Sequence, residues 1–422
     1  MNTKNTNHLH FKCSLSAAFL AVMSITDAAA SDDVSATSDT SSAPMVRLGN
    51  VDVYPGFSIT GVSDNNIFNS DLNKRYSNIL VLTPSVVMQT QKDADSYTLT
   101  YKATKGVYEQ STADNYVDHD LQGDVVWNFS QRTSLNLSPE YIVGHDQRGS
   151  TFGLATVAPN TWNSAGLGGK FIYGSEGSRG KIELNADYRD VRYQTNLDLT
   201  NLLVTNLAYN KATRDIGGIF YYRAAPKIST FVQLNDKLIA YKDPSITLRG
   251  HEKRLMLGAT WAATAQTGGT FKMGGLRKEF DNSVHPTSNN LAWEGNIRWS
   301  PRSYAYVDWI SGRATSETTL TGASFELTTY NTLIADFKLN ERIELQANAG
   351  QSKLDFNGTA RTDQSNFYGL KAEYKLREWL IGGAEFISST RTSTGYNLGI
   401  LVGNASPNYS RNVFALSVRS KL

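Results

Sequence analysis

The chain has 422 residues, a formal net charge of +2 and a mean hydropathy of −0.36. So small a net charge gives no reason to expect nucleic acid as a partner. Beyond the first 30 residues, no segment approaches the roughly 20-residue apolar run that a membrane helix needs. Neither the mean hydropathy nor the lack of such a run excludes a membrane-spanning β-barrel, because the strands of such a barrel alternate apolar and polar residues.

Residues 1–30 are typical of a secretory signal peptide. They have a basic start, a short apolar stretch over residues 13–25 and alanines at 28–30 as a cleavage site. The apolar stretch is too short to anchor the chain in a membrane. Cleavage there would remove Cys13, the one cysteine, so the exported chain is expected to fold without a disulfide. Residues 31–53 are predicted to be a flexible periplasmic leader.

From residue 54 onward the chain alternates apolar and polar residues in successive strands. In residues 343–349, for example, isoleucine, leucine and two alanines alternate with glutamate, glutamine and asparagine. A period of two gives a strand with one apolar and one polar face, whereas a helix would spread these polar residues around its surface. Residues 325–338 alternate in the same way, and Asn340 and Glu341 form a polar turn between the two strands.

This pattern predicts about eighteen strands, joined alternately by short polar turns such as residues 131–132 and by longer connections such as residues 146–161. Such sorting of connections is typical of bacterial outer-membrane barrels and is not expected of soluble sandwiches. The predicted fold is all-β, a transmembrane antiparallel up-and-down β-barrel over residues 54–422. The predicted strands are 55–65, 79–90, 97–104, 121–129, 135–143, 162–173, 181–193, 214–223, 228–239, 253–263, 270–280, 291–299, 302–313, 325–338, 342–349, 367–376, 378–390 and 409–422.

The polar face of these strands is expected to line the barrel interior. Two interpretations stay open, namely a water-filled channel lined by charge and a set of cross-strand pairs that brace the wall. The near balance of sign argues against strong selection for anions or cations, and three tyrosines suggest a saccharide path because aromatic faces stack on sugar rings. The candidate lumen-lining residues are Lys102, Asp124, Glu140, Glu183, Asp187, Arg189, Glu294, Arg298, Tyr304, Tyr306, Asp308, Tyr330, Asp336, Glu344, Lys371 and Glu373.

Residues 194–210 form the longest predicted connection and carry more aliphatic side chains than a water-facing loop has reason to expose. The flanking strands could extend and pair there, or the segment could contact lipopolysaccharide or a neighbouring subunit. A third hypothesis is that it folds into the lumen and narrows the channel. The candidate constriction residues are Leu197, Leu199, Leu202, Leu203, Val204 and Leu207.

No phosphate loop, dinucleotide fingerprint or metal-ligand spacing occurs, so neither a cofactor nor a metal is expected. His119 lies between Asp118 and Asp120, and His145 precedes Asp146, near the predicted loop-side ends of strands. Outer-membrane proteases and phospholipases carry catalytic residues near that rim, although polar residues in a water-facing zone explain the same pattern. Neither the order nor the spacing supports a catalytic triad, so the chain is not expected to be an enzyme.

Residues 61–68 have the sequence GVSDNNIF, residues 82–84 read LTP, and Tyr101, Tyr108 and the pair 118–119 follow. These motifs resemble the beta-barrel porin family that is associated with exopolysaccharide and capsular polysaccharide biosynthesis. The resemblance covers the architecture of the whole mature chain, and the short motifs are its specific part. It implies export of a secreted polysaccharide through an outer-membrane barrel, together with a periplasmic polysaccharide-export component. It implies no catalytic residues.

The expected function is therefore a channel for export of an exopolysaccharide or capsular polysaccharide. The alternative is a general or sugar-specific diffusion porin for uptake. The expected partners are outer-membrane lipid and lipopolysaccharide, the polysaccharide substrate and a periplasmic export component, without nucleic acid. The expected location is the bacterial outer membrane, reached through a cleaved signal peptide.

Overall fold

The computed structural model describes residues 46–149, 156–175, 177–262, 264, 266–318, 320–396 and 406–420. The predicted signal peptide and most of the predicted leader lie outside these residues. The described end of the leader is a short strand that pairs with residues 51–53, with Arg47 opposite Asp52. The first strand of the closed barrel begins at Val51, three residues before the predicted boundary at Tyr54.

The described chain forms twenty-one strands and two single-turn 3₁₀ helices, at Thr112–Asp114 and Leu207–Tyr209. No helix in these ranges is long and apolar enough to cross a membrane. The strands are β1 (Val46–Leu48), β2 (Val51–Asp64), β3 (Ser77–Lys92), β4 (Asp95–Tyr108), β5 (Tyr116–Ser130), β6 (Thr133–His145), β7 (Thr161–Tyr173), β8 (Gly180–Tyr193), β9 (Asn196–Leu197), β10 (Leu203–Val204), β11 (Lys211–Ala225), β12 (Ile228–Tyr241), β13 (Gly250–Trp261), β14 (Thr267–Phe280), β15 (Ser288–Arg302), β16 (Ala305–Ser316), β17 (Phe325–Lys338), β18 (Ile343–Asn357), β19 (Thr362–Arg377), β20 (Leu380–Thr394) and β21 (Tyr409–Ser420).

Eighteen of these strands, β2 to β8 and β11 to β21, close into one antiparallel barrel in which each strand pairs with its neighbours in chain order. The barrel closes where β2 meets β21, with Ile59 opposite Val418 and Gly61 opposite Leu416. A closed sheet gives each strand ladder partners on both sides and removes the exposed edge. This confirms the predicted up-and-down barrel of about eighteen strands.

The connections sort by side of the barrel, with two to six residues at one end and four to seventeen at the other. One short turn lies later than predicted, because β15 continues through Arg302, which pairs with Ala305. A register shift follows Trp299 in this ladder. The shift accommodates Pro301, which has no N–H group to donate to the neighbouring strand.

Side chains alternate between an outward apolar face and an inward polar face along the strands. On β19, Tyr368 and Leu370 are 64% and 63% exposed, while the inward Lys371 and Glu373 form an ion pair. Similar outward leucines, among them Leu184 on β8, surround the barrel. The continuous apolar band matches the surface that an outer-membrane barrel presents to lipid.

Candidate functional site

Cross-strand ion pairs cover the inner wall of the barrel. Arg298 on β15 makes two hydrogen bonds to Asp308 on β16, at 2.7 and 2.6 Å, and Arg189 on β8 lies 2.6 Å from Glu140 on β6. Pairs of this kind satisfy each other's charge at the wall of a polar lumen. The register places fifteen of the sixteen candidate lumen-lining residues on this inward face.

The other charged candidates also have polar or charged neighbours across or along the strands. Most lie within hydrogen-bonding distance of a partner, and two lie opposite a second carboxylate. They are Lys102 with Asp120 at 4.0 Å, Asp124 with Ser138 at 2.9 Å, Glu183 with Lys181 at 2.7 Å, Glu294 with Lys272 at 2.7 Å, Asp336 with Gln346 at 2.8 Å, Glu373 with Lys371 at 2.8 Å, Asp187 opposite Asp215 and Glu344 opposite Glu373.

The three tyrosines of the suggested saccharide path do not form a continuous track. The guanidinium of Arg298 lies 4.1 Å from the centre of the Tyr306 ring and covers one of its faces. Tyr330 is 6% exposed and packs against Gly312. Tyr304 lies in the turn after β15, and the centre of its ring is 5.5 Å from the centre of the outward Phe337 ring. It therefore does not line the lumen. Tyr304 lies in this turn because β15 ends three residues later than predicted, at Arg302.

At the end with the long connections, part of the wall folds into the barrel. The ladder between β15 and β16 stops at Trp293 and Arg313, although both strands continue. Beyond Arg313, residues 314–318 and 320–328 separate from β15 as a hairpin, here called the inward hairpin, whose second strand stays paired with β18 as far as Phe325. Both faces of its strands are buried, as shown by Phe325 at 1% exposure on one face and Thr328 at 3% on the other. An ordinary outer-membrane strand exposes one face to lipid or solvent.

The outward face of the inward hairpin packs on the inner wall of β13 and β14. Thr315 donates a hydrogen bond to the carboxylate of Glu252. The Phe325 ring stacks on Phe280 with centroids 6.4 Å apart, and the Lys278 ammonium lies 5.3 Å from the Phe325 centroid. These contacts join the outward face of one part of the sheet to the inward face of another, so the sheet overlaps itself.

Glu317, in the connection after β16, fixes the tip of the inward hairpin. Its carboxylate lies 2.5 Å from the Lys278 ammonium and accepts a hydrogen bond from the Tyr241 hydroxyl at 3.1 Å. Burial opposes ionisation of Glu317, but the charges of Lys278 and Lys211 outweigh it and hold its pKa below the ordinary value. The ion pair therefore stabilises the seated hairpin above the ordinary carboxylate pKa, and acid weakens it only as pH falls through the lowered pKa.

The other side of the inward hairpin rests on β18. Leu320 and Ala323 form a buried cluster with Leu354 and Phe356, which lie on the inner face of that strand. The hairpin is thus held between β13 and β14 on one side and β18 on the other. It occupies space that would be open lumen in a plain cylinder.

The connection between β2 and β3 also folds inward, and the Asp-Asn-Asn-Ile-Phe motif holds it there. Arg411 on β21 donates a hydrogen bond to Asp64 Oδ2 at 2.9 Å, and the backbone N–H of Asn66 donates to Asp64 Oδ1 at 2.8 Å. The Asn66 amide then donates to the carbonyls of Ser70 and Ser410, at 2.7 and 2.9 Å. Asp64 and Asn66 are both fully buried. Their polar atoms are satisfied within the protein, as buried polar groups require.

The apolar half of the motif completes this contact. Ile67 packs into a buried cluster on the inner wall with neighbours that include Val62 and Val413. The centre of the Phe68 ring lies 5.5 Å from the Arg75 guanidinium and 5.4 Å from the Arg148 guanidinium. The motif that carried the family resemblance therefore has a structural role, which is to seat this connection on the wall.

The two inward segments approach the mouth from opposite sides. The β2–β3 connection packs beside the β2–β21 closure, whereas the inward hairpin packs on β13 and β14, about half the barrel away in strand order. Two segments, the inward hairpin and the β2–β3 connection, therefore narrow the end of the barrel that carries the long connections. The remaining interior is lined by charge pairs of both signs.

A protein-family model described as Putative beta-barrel porin 2 matches residues 45–422. The chain belongs to this family. It is an outer-membrane β-barrel porin, and its long connections are extracellular while its short turns are periplasmic, as in bacterial barrels generally. No curated protein sequence matches the porin.

Solved structures share the fold at low sequence identity. The FrpB iron transporter from Neisseria meningitidis (F5-1 variant) is 10% identical with a TM-score of 0.51, covering 86% of this chain and 67% of its own. OccAB3 from Acinetobacter baumannii is 12% identical with a TM-score of 0.48, covering 88% and 99%. OccK2 from Pseudomonas aeruginosa, solved with glucuronate, is 10% identical with a TM-score of 0.47, covering 88% and 98%. At these identities the FrpB match shows the barrel fold alone.

The candidate constriction residues lie in the β8–β11 connection of the porin, which pairs with the β6–β7 connection and not with the inner wall. This segment forms a small hairpin of its own, with Leu203 opposite Leu197. The backbone N–H of Val157 in the β6–β7 connection donates to the Leu197 carbonyl at 2.9 Å. The leucines therefore do not pack on the inner wall, as the lumen hypothesis required. Val204 is half-buried, and the exposed leucines are Leu197, Leu199, Leu202, Leu203 and Leu207, at 40%, 66%, 66%, 68% and 54%.

Replacing the five exposed leucines of this connection by threonine is expected to leave single-channel conductance in planar bilayers unchanged. Their side chains are exposed and pack on no part of the inner wall, so the substitution removes no packing contact that would hold the segment in the lumen. The native protein measured in the same bilayers and salt is the control. An increase in conductance would place the segment in the permeation path and contradict the structure.

The histidines near the extracellular rim do not assemble into one site. The His145 ring lies 2.9 Å from Asp118 on the inner face, whereas His119 lies on the outward face and bonds the Tyr101 hydroxyl at 2.8 Å. His119 and its neighbours in sequence therefore point to opposite sides of β5. Within the described ranges, no group of three or more His, Cys, Asp or Glu residues is arranged to hold a metal ion.

Proposed function

We propose that the porin is a diffusion channel for uptake of small polar solutes across the outer membrane. The narrowing of the extracellular mouth by the inward hairpin and the β2–β3 connection carries this proposal. Both segments are continuous with barrel strands and are held by buried contacts, including those of Glu317 and Asp64. A hydrated small molecule can pass beside such segments more easily than a polymer of sugar rings.

The chemistry of the wall supports the same proposal. Ion pairs such as Arg298 with Asp308 leave polar, nearly charge-balanced surfaces, which favour neutral or zwitterionic polar solutes over either ion sign. The tyrosines that suggested a sugar track are partly covered or face elsewhere. Both the porin family and the barrel fold are compatible with a channel that catalyses no reaction.

The second candidate is export of an exopolysaccharide or capsular polysaccharide, and the resemblance of residues 61–68 supports it. Export of a polymer would require the inward hairpin and the β2–β3 connection to withdraw together. It would also require a periplasmic polysaccharide-export component to deliver the chain. Because residues 64–68 have a packing role in this structure, their presence is explained without a polymer.

Liposome swelling distinguishes the two candidates in purified protein. The porin in liposomes is expected to admit monosaccharides and amino acids quickly and oligosaccharides progressively more slowly. Empty liposomes and liposomes with heat-denatured porin are the controls. Equal permeation by small sugars and long linear saccharides would overturn the proposal of a narrow mouth.

A deletion strain tests the direction of transport. We expect unchanged secreted polysaccharide and slower growth on a limiting small solute. Restoration by the intact gene on a plasmid is the control. Loss of secreted polysaccharide, restored by the plasmid, would favour export over uptake.

A further inference from the structure

The wall of the porin has an unpaired edge where the inward hairpin separates from β15. Residues 288–292 of β15 pair with β14 on one side and with no strand on the other, and residues 314–316 of β16 pair only with β17. Among the described residues, no further backbone-to-backbone hydrogen bond reaches either stretch. Closed barrels avoid such edges, because an unpaired backbone N–H or C=O group at membrane depth is costly.

The two free edges are complementary in register. The ladder between β15 and β16 ends with Trp293 opposite Arg313. Continued without a shift, the same ladder would place Leu291 opposite Thr315. The β16–β17 and β17–β18 ladders run through the hairpin without interruption, so both can stay intact while the hairpin moves.

The side chains of the inward hairpin fit the barrel wall as well as the lumen. Phe325 and Leu327 lie on the outward face of β17, in the same row as the exposed Leu333, yet both are buried. The residues between and after them, Glu326 and Thr328, are polar and inward. An apolar outward face alternating with a polar inward face is the pattern of a strand that meets lipid.

The inner wall beneath the hairpin is suited to two environments. Met256 and Leu276 are apolar and favour being covered, whereas Glu252 and Lys278 carry charge and are fully buried. Burying charged groups is costly even when they are paired. Departure of the hairpin would return Glu252 and Lys278 to the water of the lumen.

We propose that the inward hairpin has two docking positions, the inner one in this structure and a second one in the wall, where β16 pairs with the free edge of β15. The inner position narrows the extracellular mouth and is stabilised by the ion pair of Glu317 with Lys278. The wall position opens the mouth, satisfies the backbone of residues 288–292 and places Phe325 against lipid. A protein with two such states responds to whatever favours one of them. This inference rests on the proposed function in treating the hairpin as a segment that narrows the path.

Cysteine pairs joined by a short bis-methanethiosulfonate reagent test the wall position in porin folded into lipid vesicles. Leu291→Cys with Thr315→Cys is expected to give a linked peptide in mass spectrometry, because opposite residues of paired strands have Cβ atoms about 4.5–5.5 Å apart. Gly275→Cys with Leu291→Cys is the positive control, since these residues already lie opposite each other in the β14–β15 ladder. The single cysteine variants are the negative controls.

The rate of linking shows whether the hairpin must leave its inner position first. Adding Glu317→Gln to the Leu291→Cys, Thr315→Cys pair should speed linking, since it removes the charge that holds the hairpin on Lys278. Glu294→Gln is the matched control and should leave the rate unchanged, because Glu294 pairs with Lys272 on the wall. The linked porin should show a larger single-channel conductance that returns to the native value on reduction.

Two outcomes would overturn the wall position. One is the absence of the 291–315 link in porin whose 275–291 control pair links. The other is a linking rate that Glu317→Gln does not change, because the two cysteines would then meet without release of the hairpin. Linking that Glu317→Gln accelerates, without a change in conductance, would support the second docking position and contradict the proposed narrowing of the mouth.

Discussion

Replacing Glu317 by glutamine is expected to release the inward hairpin and raise the open probability of the channel. The substitution removes the negative charge that Lys278 and Lys211 share in a buried site. Breaking one partner of a buried ion pair costs about 3–5 kcal/mol, because the remaining charge is left without compensation. The seated hairpin would lose that stabilisation, which corresponds to a shift of the closed-to-open ratio by roughly two to four powers of ten.

Single-channel recording in planar bilayers measures this effect. The native porin should show a small, steady conductance, and the Glu317→Gln variant a larger one or frequent large openings. Glu294→Gln is the matched control, because Glu294 pairs with Lys272 on the wall and does not contact the hairpin. Unchanged conductance in a folded Glu317→Gln porin would show that the hairpin does not limit permeation.

A double-mutant cycle separates the ion pair from a general loosening of the mouth. Replacing Lys278 by methionine together with Glu317→Gln removes both charges, so no unpaired ammonium from that pair remains. The double variant should then be closer to the native conductance than Glu317→Gln alone, since the cycle isolates their pairwise term. Additive effects of the two changes would indicate that they act through different contacts.

Local alternation was enough to predict the barrel. Each strand is recognised from its own period of two, and the end of the barrel at which a connection lies follows from chain order. Neither prediction depends on residues far away in the sequence. The alternation also placed charged residues such as Arg189 and Asp308 on the inward face. Strand ends were less accurate, as at Arg302, because a bulge and a proline change the register without changing the apolar pattern.

The inward hairpin could not be predicted in the same way. Phe325 and Leu327 continue the outward apolar alternation of β17, so they look like lipid-facing residues such as Leu333 farther along the strand. Their burial depends on Phe280, Lys278 and other residues that lie far away in sequence. One usable signal existed, since on β19 the outward positions at the same end are polar, whereas on β17 they stay apolar.

The hypothesis that residues 194–210 narrow the lumen shows a second limit of sequence patterns. The leucines at 197–207 are as aliphatic as a constriction would need, but composition does not decide which side of a loop faces the lumen. The polar contacts of Asn196 with the carbonyls of residues 158 and 159 fix the segment against a neighbouring connection instead. Such contacts join residues too far apart for a periodic pattern to record.

Leu184→Arg should destabilise the folded porin by about 2–4 kcal/mol, the range measured for arginine at the lipid-facing midplane of such barrels. Leu184 lies near the middle of β8, is 51% exposed on the outward face and has Phe171 and Gly218 as cross-strand neighbours. Lipid cannot solvate a guanidinium there, and the side chain is too far from either headgroup layer to reach it without strain.

Asn185→Arg is the matched control, because residue 185 is the next position at the same depth but faces the lumen, opposite Lys170 and Gly217. Water and the nearby Asp187 solvate the new charge, so the loss of stability should be well below that of Leu184→Arg. Urea unfolding in lipid vesicles, followed by loss of the heat-modifiable band on gels, measures both. Since the two variants share the introduced arginine, the strand and the depth, their difference reports which face meets lipid. Equal destabilisation would mean that the inward and outward faces of β8 have been exchanged.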